Sequence, residues 1–270
     1  MDIAIVIPAY RIPNADEIIS LRRCCLILPR YKMHLVCPIG VDTSVYQNLW
    51  NEYELTLVEE RFMPAYFKDI AGYNRLLLSE EFYSRFSDYD YMLIYQPDAY
   101  IFEDRIEEWC NKQYDFVGAP LVQFDKDITP VDTARLIVGN GGLSLRKIST
   151  YISILQSKKH VFSAKQIKAY IHFEEKPYTR WLIWLLMVLG WRNTPKSIAA
   201  HYQWNEDIFW SCFFEDSQYR ISKPTPVEAL DFAFERYPSK MLDIQGGKLP
   251  MGCHAWRKYE YEGFWKKYIQ

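Results

Sequence analysis

The stretch YMLIYQPDAYIF, residues 91–102, opens on five consecutive apolar or aromatic residues, breaks at Gln96-Pro97-Asp98, and then resumes as apolar sequence. Five such residues in a row read as a strand buried on both faces, the habit of a parallel sheet. Proline has no amide hydrogen for a sheet ladder, so the strand ends there. Residues i and i+2 of an extended chain point to one side, so Gln96 and Asp98 converge where the strand stops. A carboxylate and an amide oxygen are hard donors of the kind that hold Mg2+ or Mn2+. Pro-Asp is also common turn chemistry, and alone the turn is the stronger reading.

Outward from this strand the pattern repeats. IAIVIP (3–8), KMHLVCP (32–38), ELTLVEE (54–60), DFVGAP (115–120) and GGLSLR (141–146) read as strands. Helical patterns fall at 15–28, 43–52, 67–86 (in two pieces), 104–110 and 147–156. Alternation of strand and helix through the first 157 residues predicts an α/β fold, a mostly parallel sheet covered by helices on both faces. Residues 158–200 are basic, aromatic and apolar by turns and read as a helical insertion. NEDIFWSCFFE (205–215) reads as a helix, with Asn205 as its N-cap and Glu206 and Asp207 in its first turn. No internal repeat, linker or low-complexity tract divides the chain, so residues 1–270 are expected to form one domain.

The totals exclude several classes. The formal net charge of −2 and the absence of a basic stripe argue against nucleic acid as a partner. The six cysteines form no C-x-x-C pair, which excludes a zinc ribbon or a thioredoxin-like centre and points to reduced thiols in a cytoplasmic protein. Met1 leads straight into a strand pattern, so no secretory signal is expected. WLIWLLMVLGW (181–191) falls short of the roughly 20 residues a spanning helix needs and is expected to be a buried helix. Its alternative is peripheral contact with the inner face of a membrane, since Trp181, Trp184 and Trp191 are flanked by Arg180, Arg192 and Lys196.

In open parallel sheets, ligands bind outside the carboxyl ends of the strands. Pro8 and Tyr10 follow the first strand, where Tyr10 can stack on a base or sugar or simply line a loop. VGNGGLSLR (138–146) places Gly139, Gly141 and Gly142 before a strand. That order excludes a dinucleotide fingerprint, which needs a helix next, and leaves either a loop facing a ligand or a plain turn. Glu206 and Asp207 beside the positive end of a helix are expected to stay ionised, and one of them can act as general base for a sugar hydroxyl. First-turn acids are equally ordinary capping. His254, in MGCHAW (251–256), suits a carboxylate-rich divalent site, although a lone His is more often structural. No P-loop and no G-x-S-x-G elbow occurs.

Taken together, the IVIP strand, QPDAYIF, YDFVGAPLV, GNGGLSLR, NEDIFWS and MGCHAW resemble a family of bacterial proteins of unknown function that is grouped with the GT-A glycosyltransferases. The resemblance runs from about residue 60 to 256. It implies a nucleotide-diphospho-sugar transferase fold and a glycosyltransferase that moves a sugar from a nucleotide donor to a hydroxyl of a glycan or lipid-linked acceptor, in the polysaccharide biosynthesis of a bacterial surface. In such enzymes the fourth strand ends in Asp-x-Asp holding a divalent cation, Mn2+ or Mg2+. Here that place is Gln96-Pro97-Asp98, which makes Asp98 and His254 the implied metal ligands and leaves Gln96 to the donor's ribose or a water. Asp207, then Glu206, is the implied base of an inverting reaction. Asn140, Gly141, Gly142 and Trp256 are implied to face the transferred sugar or the acceptor. The Gln for Asp change opens a metal-free alternative, with Arg146 and Lys147 on the diphosphate, and a further one, a non-catalytic sugar-binding protein. A nucleotidyltransferase is disfavoured, because PAYRIPNADE (8–17) has no glycine.

Overall fold

The structure, a computed structural model, describes residues 1–122, 133, 136–170 and 177–269. The chain begins β1 (Ile3–Pro8), α1 (Ala15–Ile27), β2 (Lys32–Pro38), α2 (Ser44–Asn51), β3 (Leu57–Phe62), α3 (Ile70–Leu77), α4 (Glu80–Arg85) and β4 (Tyr91–Tyr95). It continues β5 (Tyr100–Ile101), α5 (Ile106–Asn111), β6 (Phe116–Gly118), β7 (Pro120–Val122), β8 (Leu136–Val138), β9 (Leu143–Lys147) and α6 (Ile148–Gln156). The helices α7 (Ala164–Tyr170), α8 (Pro177–Val188), α9 (Pro195–His201), α10 (Glu206–Ile208) and α11 (Pro226–Ala229) follow. Last come β10 (Ala233–Phe234), α12 (Pro238–Ile244) and β11 (Gly252–Cys253).

The central sheet has six strands in the order β3-β2-β1-β4-β9-β6. β1 pairs in parallel with β2 and β4, and β2 with β3, while β9 runs antiparallel to both of its neighbours, β4 and β6. Alternation along β1 explains the two-sided core. Ile3, Ile5 and Ile7 join Leu21, Trp50 and Trp109 on one face, and Ala4 and Val6 join Phe82, Tyr151 and Trp210 on the other. Because both faces are covered, the strands need to be apolar throughout, which is why they read as continuous runs.

β4 does not continue straight into solvent. Gln96-Pro97-Asp98-Ala99 turns, with the Ala99 amide donating to the Gln96 carbonyl at 2.8 Å. The chain then enters a three-stranded sheet of order β10-β11-β5. In its register Tyr100 lies opposite Cys253 and Ile101 opposite Gly252. That antiparallel pairing carries His254 back alongside the 96–99 turn.

Four expectations change. β3 starts at Leu57, because Glu54 sits in a left-handed conformation (φ 57°) that ends a turn after α2. The strand over 115–120 divides at Ala119, since β7 leaves the main sheet to pair with β8. The helix over 205–215 is one α turn, α10, followed by a π-helical turn at Phe209–Phe213. The helical insertion at 158–200 is α7, α8 and α9 where it is described, with 171–176 outside the described residues. Its α8 is not the buried helix expected of 181–191. Only one face packs, and Trp181, Leu182 and Leu189 are exposed. No helix among the described residues is long and apolar enough to cross a membrane.

Trp256 is also corrected. It is 1% exposed, packs edge-on to Tyr100, and donates its indole N–H to Ser20 Oγ at 3.0 Å. It pins the chain after β11 to α1 and offers no face to a sugar. Trp256→Ala is therefore expected to lower unfolding stability by about 3–5 kcal/mol, as loss of a buried aromatic does. Urea denaturation measures this, and a change under about 1 kcal/mol would place the indole outside the core.

Candidate active site

The carboxyl end of β4 meets the beginning of β9, because β9 runs the other way. The Gln96 amide donates to the Gly142 carbonyl at 2.8 Å, so the glycine loop and the Gln-Pro-Asp turn are joined by backbone. His254 projects between them. Its Nε2 lies 3.1 Å from Gln96 Oε1 and 3.3 Å from Asp98 Oδ1. Its Nδ1 lies 3.0 Å from Asn140 Nδ2 and 3.4 Å from Glu235 Oε1. Asn140 Oδ1 accepts from the Gly142 and Leu143 amides at 3.1 and 3.3 Å, which turns its NH2 toward the imidazole. His254 thus has two ways of being satisfied. As a neutral ring with hydrogen on Nε2, it accepts from Asn140; as an imidazolium, it donates to both Asp98 and Glu235.

Burial alone would lower the His254 pKa, but the carboxylates of Asp98 and Glu235, one at each nitrogen, raise it to about 10. Burial likewise pushes the Asp98 carboxyl up, and the imidazole overrides it and holds the group below its ordinary value.

The glycines have a steric reason. A Cβ on Gly142 would lie 2.1 Å from His254 Nε2, and one on Gly141 2.6 Å from Glu206 Oε1. Both glycines and Asn140 are buried. They back the site by admitting His254 and Glu206, rather than opening a surface to a sugar as expected.

The two acids at the start of α10 diverge. Glu206 is 4% exposed, and both its oxygens receive the Arg146 guanidinium at 2.8 Å. Arg146 is itself fully buried and further donates to the Tyr83 hydroxyl and Ser144 Oγ. Asp207 is only half-buried. Its Oδ2 accepts from the Gly141 amide at 3.2 Å and its Oδ1 from the Ile208 amide at 2.7 Å. Asn205 makes no side-chain capping bond. Contrary to expectation, Asp207 does not keep an ordinary acidity. Burial, and then repulsion from Glu206, raise its pKa to about 7, outweighing the amides and Arg146. Arg146 and Lys147 are not free for a diphosphate either. Arg146 is committed to Glu206, and Lys147 pairs with Tyr91 at the other end of the sheet and bonds Gln113.

Pro8 is buried at the end of β1, and Tyr10 beyond it is 57% exposed, beside Arg11. Three residues escape the sequence reading. Glu235 follows β10, a strand too short to register. Tyr73 on α3 lies beside the Gln96 side chain, and Asn74 on the same helix accepts from the Glu206 amide at 3.4 Å. A tyrosine and an asparagine in an amphipathic helix carry no signal of their own.

Among the described residues, no three His, Cys, Asp or Glu side chains cluster as a metal site. The donor set that converges is His254 Nε2, Asp98 Oδ1 and the neutral Gln96 Oε1. Glu235 on the far nitrogen is what a ligating imidazole usually has. Once neutral, with its hydrogen on Nδ1 toward Glu235, His254 would hold a divalent cation together with Asp98 and Gln96, at the cost of the proton that the two carboxylates favour.

A family model described as a protein of unknown function, DUF5672, matches residues 56–254. No curated protein matches the sequence. Among solved structures, the galactosyltransferase LgtC, in complex with donor and acceptor sugar analogues, superposes with a TM-score of 0.51 at 12% identity, over 93% of this chain and 86% of that one. Mouse xyloside xylosyltransferase 1, in its apo form, gives 0.52 at 10% identity, over 94% and 97%. The fold is that of the GT-A glycosyltransferases.

The raised Asp207 pKa sets a pH dependence. Folding favours the protonated acid, so the stabilisation it brings is complete below about pH 4, the unfolded value, and is lost as pH rises to about 7. Asp207→Asn is expected to gain stability relative to the parent across that window and to hold the gain above it. Denaturation at pH 4, 6 and 8 checks this, and a constant difference would mean an unshifted carboxyl.

Proposed function

The chain belongs to the DUF5672 family, and we propose that it transfers a sugar from a nucleotide-diphosphate donor to a hydroxyl of a glycan or lipid-linked acceptor. The observation that carries this reading is the cluster of Gln96, Asp98 and His254 at one sheet edge of a glycosyltransferase fold, with Asp207 held on the adjoining glycine loop by the Gly141 amide.

In this reading Asp98 and His254, aided by Gln96, hold a divalent cation. The cation would supply positive charge against the diphosphate as the sugar leaves it. Tyr10, exposed beyond β1, is available to the donor's base or ribose. Asp207 takes the acceptor hydroxyl's proton. The acceptor oxygen bonds to the anomeric carbon while the bond from that carbon to the diphosphate oxygen breaks, and the nucleoside diphosphate departs with the electron pair. A base with a pKa of about 7 is ionised over half its population at neutral pH yet basic enough to accept a proton. Glu206 is unsuited to the role, since both its oxygens are held by Arg146. A metal-independent or purely sugar-binding protein is the second reading. It is favoured by the neutral Gln96 and by carboxylates that already satisfy both His254 nitrogens.

Thermal-shift measurements with UDP-, GDP-, CMP- and dTDP-sugars, with and without Mn2+, separate the two. Donor-dependent stabilisation that needs Mn2+ and vanishes in Asp98→Ala is the expected result. Stabilisation unaffected by Mn2+ supports the second reading, and no shift with any donor removes both. Once a donor is found, Asp207→Asn is expected to keep donor binding and lower kcat by about 10²–10⁴-fold. In the parent, kcat/KM should rise with pH through an apparent pKa near 7.

A further inference from the structure

From Trp181 to its end at Val188, α8 is apolar all round. Ile183, Trp184, Met187 and Val188 form one stripe at helical spacing, packed with Ile167 of α7. The rest of the helix is no more polar. Trp181 (63% exposed), Leu182 and Leu189 (72%) lie on the other side, and Trp191 follows in the next turn. A helix with no polar face is normally enclosed. This one is firmly built on its inner side and left open on its outer side. Trp184 donates to the Ala164 carbonyl at 3.1 Å. Asn193, with no exposed surface, accepts from the Phe162 amide at 2.9 Å and donates to the Phe162 and Met187 carbonyls, each at 3.0 Å. The exposed indoles and leucines are thus held outward by a fixed hairpin.

Charge says what covers them. Residues 158–203 carry eight Lys and Arg against two Glu, a formal net charge of +6, and the rest of the chain carries −8. Lys158, Lys159, Lys165, Lys168 and Arg192 are exposed around the hairpin. No acidic residue occurs among its described residues. A second copy of the chain would bring two such cationic surfaces face to face in a two-fold contact, and like charges oppose that. An anionic bilayer matches both properties. Lys and Arg meet lipid phosphates, while Trp and Leu enter the boundary between headgroups and acyl chains.

We propose that the outer face of α8, with Trp191, is a membrane-docking surface for anionic lipid. It lies on the insertion that leads directly into Glu206 and Asp207, and it does not rest on the transferase reading. The test is flotation of the full chain with phosphatidylcholine vesicles, with and without phosphatidylglycerol. The expected result is co-flotation with the anionic vesicles alone, weakened by salt as the Debye length falls from about 10 Å at 0.1 M to about 3 Å at 1 M. The doubly substituted Trp181→Glu, Leu189→Glu chain touches only exposed positions and should retain its circular dichroism and thermal transition. It is expected to lose at least about tenfold in vesicle affinity, since inserted apolar area and surface charge both drive binding. Absence of co-flotation overturns the proposal, as does equal binding by the variant. Self-association in sedimentation that the same variant abolishes, without vesicle binding, assigns the face to a second copy instead.

Discussion

A guanidinium with no exposed surface sits at the centre of this fold. Arg146 is removed from water completely, an arrangement that persists only when every donor finds a partner. Glu206 neutralises it, and Tyr83 and Ser144 take two more of its N–H groups. The pair joins β9 to α4 and to the start of α10. Removing either partner would leave the other charged in the core, typically worth about 3–5 kcal/mol. The neighbouring Asp207 is left outside this bond. With Glu206 turned inward to Arg146, Asp207 is left without a cation of its own, and burial first, then the neighbouring Glu206, weaken its acidity. Two adjacent carboxylates acquire different characters because only one of them has a cation.

The imidazole is governed by backbone register. One antiparallel pairing, Tyr100 with Cys253, sets His254 against the turn at the end of β4. Gln96 and Asp98 then share its Nε2, and Asn140 and Glu235 share its Nδ1. Gln96 becomes intelligible in that setting. A second carboxylate at this position would crowd Asp98 and add a third anion to a ring that already has two. An amide supplies an oxygen at the same place without the charge.

The main sheet was legible because burial on both faces writes itself as unbroken apolar runs, as in IAIVIP and YMLIY. β5, β10 and β11 were not, since two residues cannot display a period. That gap hid Glu235, which is placed by β10. Gln96, Asp98, Asp207 and His254 stand out at strand and helix ends, where turn and capping readings compete, and only the family resemblance gives them a role; Gln96 and Asp98 lie against His254, and Asp207 against the Gly141 amide. Trp256 was misjudged because an indole two residues after the histidine reads equally as stacking platform or core, and only the packing against Tyr100 and Ser20 decides. α8 failed in the opposite direction. Its sequence promises burial on every side, and the fold supplies a neighbour on only one.

The span of the His254–Gln96 contact, 158 residues, has a consequence for synthesis. The Trp256–Ser20 bond that secures the same segment closes a loop of 236. Contacts so distant in sequence form late, after local and nearest-strand pairings have reduced the entropy of closure. During translation β1 to β4 can assemble into a sheet long before the histidine leaves the ribosome. A nascent chain at that stage would present the carboxyl edge of β4 with Asp98 lacking its imidazole partner. Completion of this edge waits for the segment that carries His254 and Trp256, so the sheet and the cluster at its edge form at separate stages of synthesis.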